Sequence, residues 1–486
     1  MRAMHNTHRA SPPSVRRGCL SNIDIGCSSP VRLAAVIMVV ALTITHEAAA
    51  QSRTSTAASA AAQSVSHSPP TSLGELLQRA DSASPIVHAA RARLMAARAR
   101  ERPAGARPDP MLMAAVVNLP VTAPSFTNDE MTMKMVGIGQ SIPYRGKLAL
   151  RRRVAEFESQ AAEASLAMAR LDVMRMVKEA YYELAYLDRA LDLLEQNGTV
   201  VGEIVAVSEA RYSSGVGGQQ EVLTSRVEAA RVAATASTLL EQRRAVLAGL
   251  NAVLDRPSSS PVDQPAIPER IVRAAVEKDP SAIRFAAKTA GARAAGSPIP
   301  DLAVLEATSD RRSPLLREQD ARFAAQSARV ALAARDYKPD IDVSVQYGQR
   351  QQLRDMLTVQ VSMPLQLRRA DIQAQRVAEA RAELVGIAAE RRTERNDVSA
   401  NVARRVADAE RARAHLAIYT IAVLPQGRAA VAASLAAFRA GTAGLAAVLD
   451  AQAMLFSHET AYARALSDFA MAVAALEQVV GEEVLP

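Results

Sequence analysis

The chain has no tryptophan, only two cysteines and an aromatic content of 3% in 486 residues. So few large rings leave little of the filling that a conventional enzyme core of this length uses. Both cysteines, Cys19 and Cys27, precede the apolar run Leu33 to Thr45. That run is too short to cross a bilayer as a permanent helix, and Ala48-Ala49-Ala50 follow it. It reads as a secretory signal over residues 1–50, cleaved after Ala50. Neither cysteine lies behind the apolar run as a lipid-anchor cysteine must, so no lipid anchor is expected. A mature chain without cysteine has no disulfide, no thiolate metal site and no thiol nucleophile.

Histidine is equally sparse. His5, His8 and His46 leave with the signal, and His67, His88, His415 and His458 are widely separated. The sequence lacks paired metal-ligand histidines, a Ser-His-Asp order and a Gly-Lys-Ser/Thr phosphate loop. The run "GVGG" at Gly215 to Gly218 has no strand before it. No catalytic residue, metal site or cofactor is therefore expected, and the chain reads as a non-enzyme. The net charge of +8 comes from arginines dispersed along helical stretches beside Glu and Asp. That is the pattern of a solvated face, and nucleic acid is not expected as a partner.

What the chain does have is a repeat. "ARYSSGVGGQQEVLTSR" (Ala210 to Arg226) matches "AAFRAGTAGLAAVLDAQ" (Ala436 to Gln452) at an offset of 226. Tyr212 falls on Phe438, Gly215 on Gly441, and Val222-Leu223 on Val448-Leu449. Upstream, "SPIVHAARARLMAARAR" from Ser84 parallels "SPLLREQDARFAAQSAR" from Ser313. "RPDP" parallels "KPDI", and "QSIPYRGKL" parallels "VSMPLQLRR". Four matches in the same order point to a duplicated unit.

Each unit reads helix, strand, strand, very long helix, turn, helix. Period-two patterning predicts strands at Met111 to Leu119, Met131 to Ile142, Asp342 to Gly348 and Met356 to Met363. The polar, proline-containing "PVTAPSFTND" between the first two is expected to be an exposed hairpin tip. Leu148 to Tyr212 and Leu365 to Ile421 contain no proline and predict rods, the first on the order of 100 Å long. Gly198 and Gly202 in the first rod and Pro425 in the second are expected to bend both at the same height. The resulting division is signal 1–50, flexible lead-in 51–72, first unit 73–255, an equatorial linker 256–312, second unit 313–481 and a tail 482–486.

Four strands behind a secretory signal suit a piece of a membrane β-barrel. Four strands cannot close, and an open edge in lipid leaves backbone groups unsatisfied. Other copies of the chain are therefore expected to complete the barrel.

With the duplicated Tyr212-x-x-Gly215 and Phe438-x-x-Gly441 turns and the "EVL" and "VLDAQ" that follow them, the chain resembles the outer-membrane efflux protein family, the TolC-like exit ducts, from about Leu73 to Gly481. The resemblance implies an α+β membrane protein. Its tandem repeat gives an α-helical periplasmic barrel and a trimeric, twelve-stranded β-barrel. The partners it implies are two further copies of the chain, outer-membrane lipid, a periplasmic adaptor protein and an inner-membrane pump of the resistance-nodulation-division type. It further implies that Tyr212, Gly215, Val216, Phe438, Gly441 and Thr442 form adaptor-docking tips. The belt at mid-height is implied for Arg256 to Pro268 and Lys288 to Arg312. The family's closed aperture carries two carboxylates three residues apart in the second tip. Here Asp450 holds one of those positions and Ala447 the other, while Glu221 is equivalent to Ala447 in the first tip. Glu221 and Asp450 are thus the expected aperture carboxylates, favouring cations.

"PDPMLM" and "MKMVGIGQSIPYRGKL" resemble the heavy-metal efflux subgroup. On the strand, Met131, Met133 and Met135 are expected to share a face toward lipid, with Thr132, Lys134 and Gln140 toward a water-filled lumen. Thioethers select soft metals only where they converge on one point, which a single strand cannot achieve. A periplasmic adaptor or coiled-coil scaffold is the competing class, and an exit duct for protein secretion is a variant of the first reading. An adaptor would carry one helical hairpin; this chain carries two.

Overall fold

The computed structural model describes residues 72–121, 130–263, 265–275, 298–351, 353–440 and 442–485. The expected signal, nearly all of the lead-in, most of the first hairpin tip, part of the belt and Gly441 lie outside them.

Two helices of equal length open the two halves: α1, Leu73–Ala83, and, further on, α6, Leu302–Arg312. Each runs into a Ser-Pro step, Ser84-Pro85 and Ser313-Pro314, and then into a longer helix. These are α2, Pro85–Gly105, and α7, Pro314–Arg335. The proline drives the preceding serine out of the helical region while sitting well at the first helical position. The two serines adopt nearly the same extended backbone, with ψ of 127° and 120°. The duplication thus extends to the kink.

Strands β1 (Met111–Val117) and β2 (Met133–Ile142) form the first hairpin, and β3 (Ile341–Arg350) and β4 (Met356–Ser362) the second. All four pair antiparallel in chain order, β2 against β3 joining the halves. β1 and β4 are the outer strands of the four. Gly137 is required at the β2–β3 seam, because a Cβ there would lie 2.5 Å from Gln346 Cγ.

Register corrects the expected faces. Leu112, Val136, Ile138, Val345, Val359 and Val361 share one side of the sheet, all exposed. Lys134 and Gln140 belong to this apolar side. Met133 and Met135 lie on the opposite side with Ser344, Gln346, Thr358 and Gln360. Met131 is outside the strand, in the turn, where its carbonyl accepts from Asn118 Nδ2. Thr132 is buried, donating to the Asn118 carbonyl. The sequence reading failed because the methionines interrupt polar residues in β2 while the cross-strand partners that define each face lie about 210 residues away.

The first rod, α3, runs unbroken from Lys147 to Ser213, 67 residues. It returns through α4, Gln219–Val253. Gly198 and Gly202 do not interrupt it: glycine costs about 1 kcal/mol against alanine in a helix but removes no hydrogen bond. Gly198 instead allows close approach to α4, its Cβ position lying 3.4 Å from Val232 Cγ1. The second rod is divided. A π-helical turn, Arg369–Gln373, leads into α8, Ala374–Ile418. A second π-helical turn, Tyr419–Val423, precedes α9, Leu424–Arg439. Pro425 explains that turn: it offers no N–H to the carbonyl four residues back, and its ring crowds it. The last helix, α10, is Leu445–Val480. Between the halves lies the short α5, Glu269–Ala275.

The core lies at mid-height, where α3, α4, α8 and α10 meet the linker. Tyr182, Leu250, Leu416, Phe469 and Leu476 are almost wholly buried there. The linker contributes Val262, Ile271 and Ile299, and the tail adds Val484 and Leu485. Farther out the helices bury little, and in α9 only Leu424 is buried. By length and composition the run Arg369–Arg439 is apolar enough to cross a membrane. Very little of its apolar stretch is covered in the single chain.

The strands join the rods through one polar knot. Asp340 Oδ1 accepts from the Tyr144 N–H at 2.8 Å and from Lys147 Nζ at 2.9 Å, and Asp336 lies 3.3 Å from the same ammonium. The "KPD" of the second half thus clamps the start of the long helix of the first.

Candidate functional site

The two helix-to-helix turns at the far ends of the rods share their backbone hydrogen bonds where both are described. In the first, the N–H groups of Val216 and Gly217 donate to the Arg211 carbonyl at 3.0 and 2.9 Å. In the second, Thr442 and Ala443 donate to the Ala437 carbonyl at 3.0 and 3.3 Å. These are the equivalent residues at the offset of 226. Each satisfies carbonyls left over at a helix end. Gly215 takes φ +78°, the left-handed conformation that ends helices and favours glycine. The next helices start at Gly218 and Gly444, both extended, and Glu221 and Ala447 donate back to them.

The side chains are not alike. Tyr212 is half exposed and Val216 largely exposed, while Phe438, the counterpart of Tyr212, is partly buried beneath Arg211. The Arg211 guanidinium carbon lies 5.4 Å from the Phe438 ring centroid, and its Nε lies 3.8 Å from Glu221 Oε2. One cation therefore reaches the second tip through the ring face of Phe438 while pairing with Glu221 within its own tip. Thr442 is exposed, its hydroxyl donating to the Ala437 carbonyl at 3.0 Å. Asp450 is exposed on α10.

The structure thus brings Glu221, Phe438 and Arg211 together and leaves Asp450 facing solvent. Arg211 was missed in the sequence because the other half has Ala437 at that position, so the repeat drew attention to what is shared rather than to what differs. Farther from the turns an ion pair ties each rod to its own returning helix, Arg226 2.7 Å from Glu209 in the first half and Arg428 3.0 Å from Glu459 in the second. A cleft of about 860 Å³ opens at mid-height beside Tyr186, Arg243 and Tyr462. Its Asp188 and Arg243 pair with each other. Among the described residues no three His, Cys, Asp or Glu side chains converge as a metal site would require.

The profile of the outer membrane efflux protein family matches residues 76–255 and again 308–482. Among solved structures, the outer-membrane channel OprN aligns with 85% of this chain and 91% of its own at 20% identity, with a TM-score of 0.68. The outer membrane protein VceC from Vibrio cholerae aligns with 85% of this chain and 96% of its own, also at 20% identity and 0.68. CusC, described for its transmembrane channel formation, aligns with 84% and 92% at 12% identity and 0.67. Identities this low speak for the fold alone. No curated protein sequence matches significantly.

Proposed function

The chain belongs to the outer membrane efflux protein family and resides in the outer membrane with a long periplasmic portion, and on that premise we propose that it is one third of a passive exit duct. Three copies join β4 of one to β1 of the next, giving twelve strands and a lumen. The rods continue that lumen through the periplasm. An inner-membrane pump of the resistance-nodulation-division type and a periplasmic adaptor deliver the cargo, metal cations or small toxic molecules, and the duct performs no chemistry on it.

The observation that carries this reading is the open four-stranded sheet with one predominantly apolar side. A single sheet of four leaves two rows of backbone groups unpaired, which hydrocarbon does not tolerate. Strands of 10 residues in β2 and β3 rise about 33 Å, which at a tilt near 45° covers the apolar band of a barrel. The exposed apolar stretch of the second rod also needs cover, and neighbouring copies supply it.

The tips then face the adaptor. Val216 and Tyr212 offer exposed apolar and aromatic surface there, and Glu221 and Asp450 contribute two carboxylates per chain to a ring of six in a trimer. The deciding experiment is the oligomeric mass of the mature protein extracted in mild detergent from separated outer membranes. A trimer supports the duct. A soluble monomer in the periplasm overturns it.

A further inference from the structure

The polar side of the sheet carries methionines that lipid packing does not explain. Met113, Met133, Met135 and Met356 stand among Ser344, Gln346, Thr358 and Gln360. Thioethers on a surface meant for water accept hydrogen bonds poorly, and four of them on one small area lose hydration without gaining a core.

Their placement centres on one residue. Register sets Met135 and Met356 on either side of Gly348, each one strand away. A Cβ at Gly348 would lie 3.7 Å from Met133 Sδ and 3.6 Å from Met135 Cγ. Both β2 side chains therefore lean across the missing side chain toward β3, and Gly348 is buried beneath them. Met113, on β1, covers a different glycine, its methyl 3.0 Å from the Cβ position of Gly139. The β2 methionines thus overhang the Gly348 floor, and Met356 borders it in register from β4. A lone strand could not bring about that convergence.

We infer that Met133, Met135 and Met356, over the Gly348 floor, form a binding site for a soft monovalent cation, Cu(I) or Ag(I). Neutral, polarizable sulfur suits such ions, whereas hard cations select oxygen. The polar neighbours keep the approach wet, and the absence of a side chain at Gly348 lets the β2 thioethers close over it. The inference rests on the duct reading in one respect: the polar side must face water in the assembled barrel. Each site is built within one chain, so a trimer holds three.

The test uses the full mature protein in detergent, with methionine methyl groups labelled for NMR, titrated with Ag(I) in chloride-free buffer. Saturable binding of one Ag(I) per chain is expected, with the Met133, Met135 and Met356 methyl resonances moving together. The volume-conserving double variant Met133→Leu, Met135→Leu should bind at least tenfold more weakly. The exposed Met95→Leu and Met454→Leu, on helices, should bind as wild type does. Binding that never saturates, or that survives the double variant unchanged, overturns the site and leaves the methionines as filler above the glycines. Conductance of the wild-type preparation in planar bilayers is read alongside. A conducting protein without Ag(I) binding loses only the metal site, and a binding protein that forms no pore loses the duct.

Discussion

Lys178 Nζ lies 2.6 Å from Glu477 Oε2, an ion pair closed between residues 299 positions apart and almost wholly removed from solvent. It sits in the seam where α3 meets α10, beside Tyr182, whose phenol is pushed above its ordinary value first by burial and then by the Glu477 charge. Ser467 donates to the Tyr182 carbonyl one turn away. Breaking a buried pair strands a charge, whereas replacing both partners with apolar groups removes the desolvation cost as well. Glu477→Leu is therefore expected to cost about 3–5 kcal/mol. The double variant Lys178→Met, Glu477→Leu should recover most of it. Thermal loss of helical circular dichroism in detergent measures both. Equal losses in the single and double variants would mean that packing, not charge, holds the seam.

Adjacent residues on β4 test the face assignment. Val359 is opposite Val345 on the apolar side, and Thr358 is opposite Gln346 on the polar side. A lysine near the middle of the lipid-facing band of a barrel costs roughly 2–4 kcal/mol, while lumen positions tolerate charge. Val359→Lys should sharply reduce the protein recovered in outer membranes, and Thr358→Lys should leave it near wild type. The reverse outcome would return the methionines to lipid.

The strands, the long helices and the turns were legible because each rests on local signals: period-two runs, proline-free alanine-rich stretches, and paired glycines at a fixed offset. The β2 and β4 ends fall within two residues of where the pattern placed them. Sidedness was not legible. Met135 and Gly348 are neighbours only because β2 pairs with β3 across the duplication, and one strand's alternation cannot say which side its partners make polar. The bend at Gly198 failed for a related reason. A helix carries glycine where a neighbour such as Val232 needs room, while Pro425 removes a hydrogen bond whatever surrounds it. Tip chemistry was half legible, since the shared backbone turn is written twice but Arg211 only once.

The C-terminal tail is tied to the linker by Arg270, which donates to Glu483 from both terminal nitrogens at 2.6 and 3.0 Å. Those bonds hold the Glu483 carboxyl below its ordinary 4.5, against the opposing effect of burial. A depressed carboxylate stabilises the fold fully above its unfolded value and loses that contribution as pH falls through the folded one. Wild type should therefore lose thermal stability on acidification below 4.5 more steeply than Glu483→Gln. Parallel pH profiles for the two proteins would show that the tail is held by Val484 and Leu485 alone.

Adaptor docking, as proposed for the tips, should depend on exposed apolar surface. Val216 is 71% exposed at the first turn, while the turn itself is held by backbone bonds to Arg211. Val216→Asp adds charge without touching those bonds. Site-specific crosslinking to the adaptor should fall several-fold while trimers persist on native gels. Wild-type crosslinking in this variant would move the docking surface elsewhere.

The aperture carboxylates are not equivalent in this chain, and that asymmetry makes the proposed ring testable. Glu221 faces Arg211, which partly neutralises it, whereas Asp450 is exposed on its helix. In planar bilayers under a salt gradient, Asp450→Ala should therefore reduce cation selectivity more than Glu221→Ala, and the double variant should reduce it most. Arg211→Ala should do the opposite. It frees Glu221 and removes the contact with Phe438, worth about 0.5–1 kcal/mol at an exposed site, so both cation selectivity and conductance should rise. If the double carboxylate variant keeps wild-type selectivity, the acidic ring does not line the aperture. If Arg211→Ala changes neither quantity, the bridge between the tips does not restrain the opening.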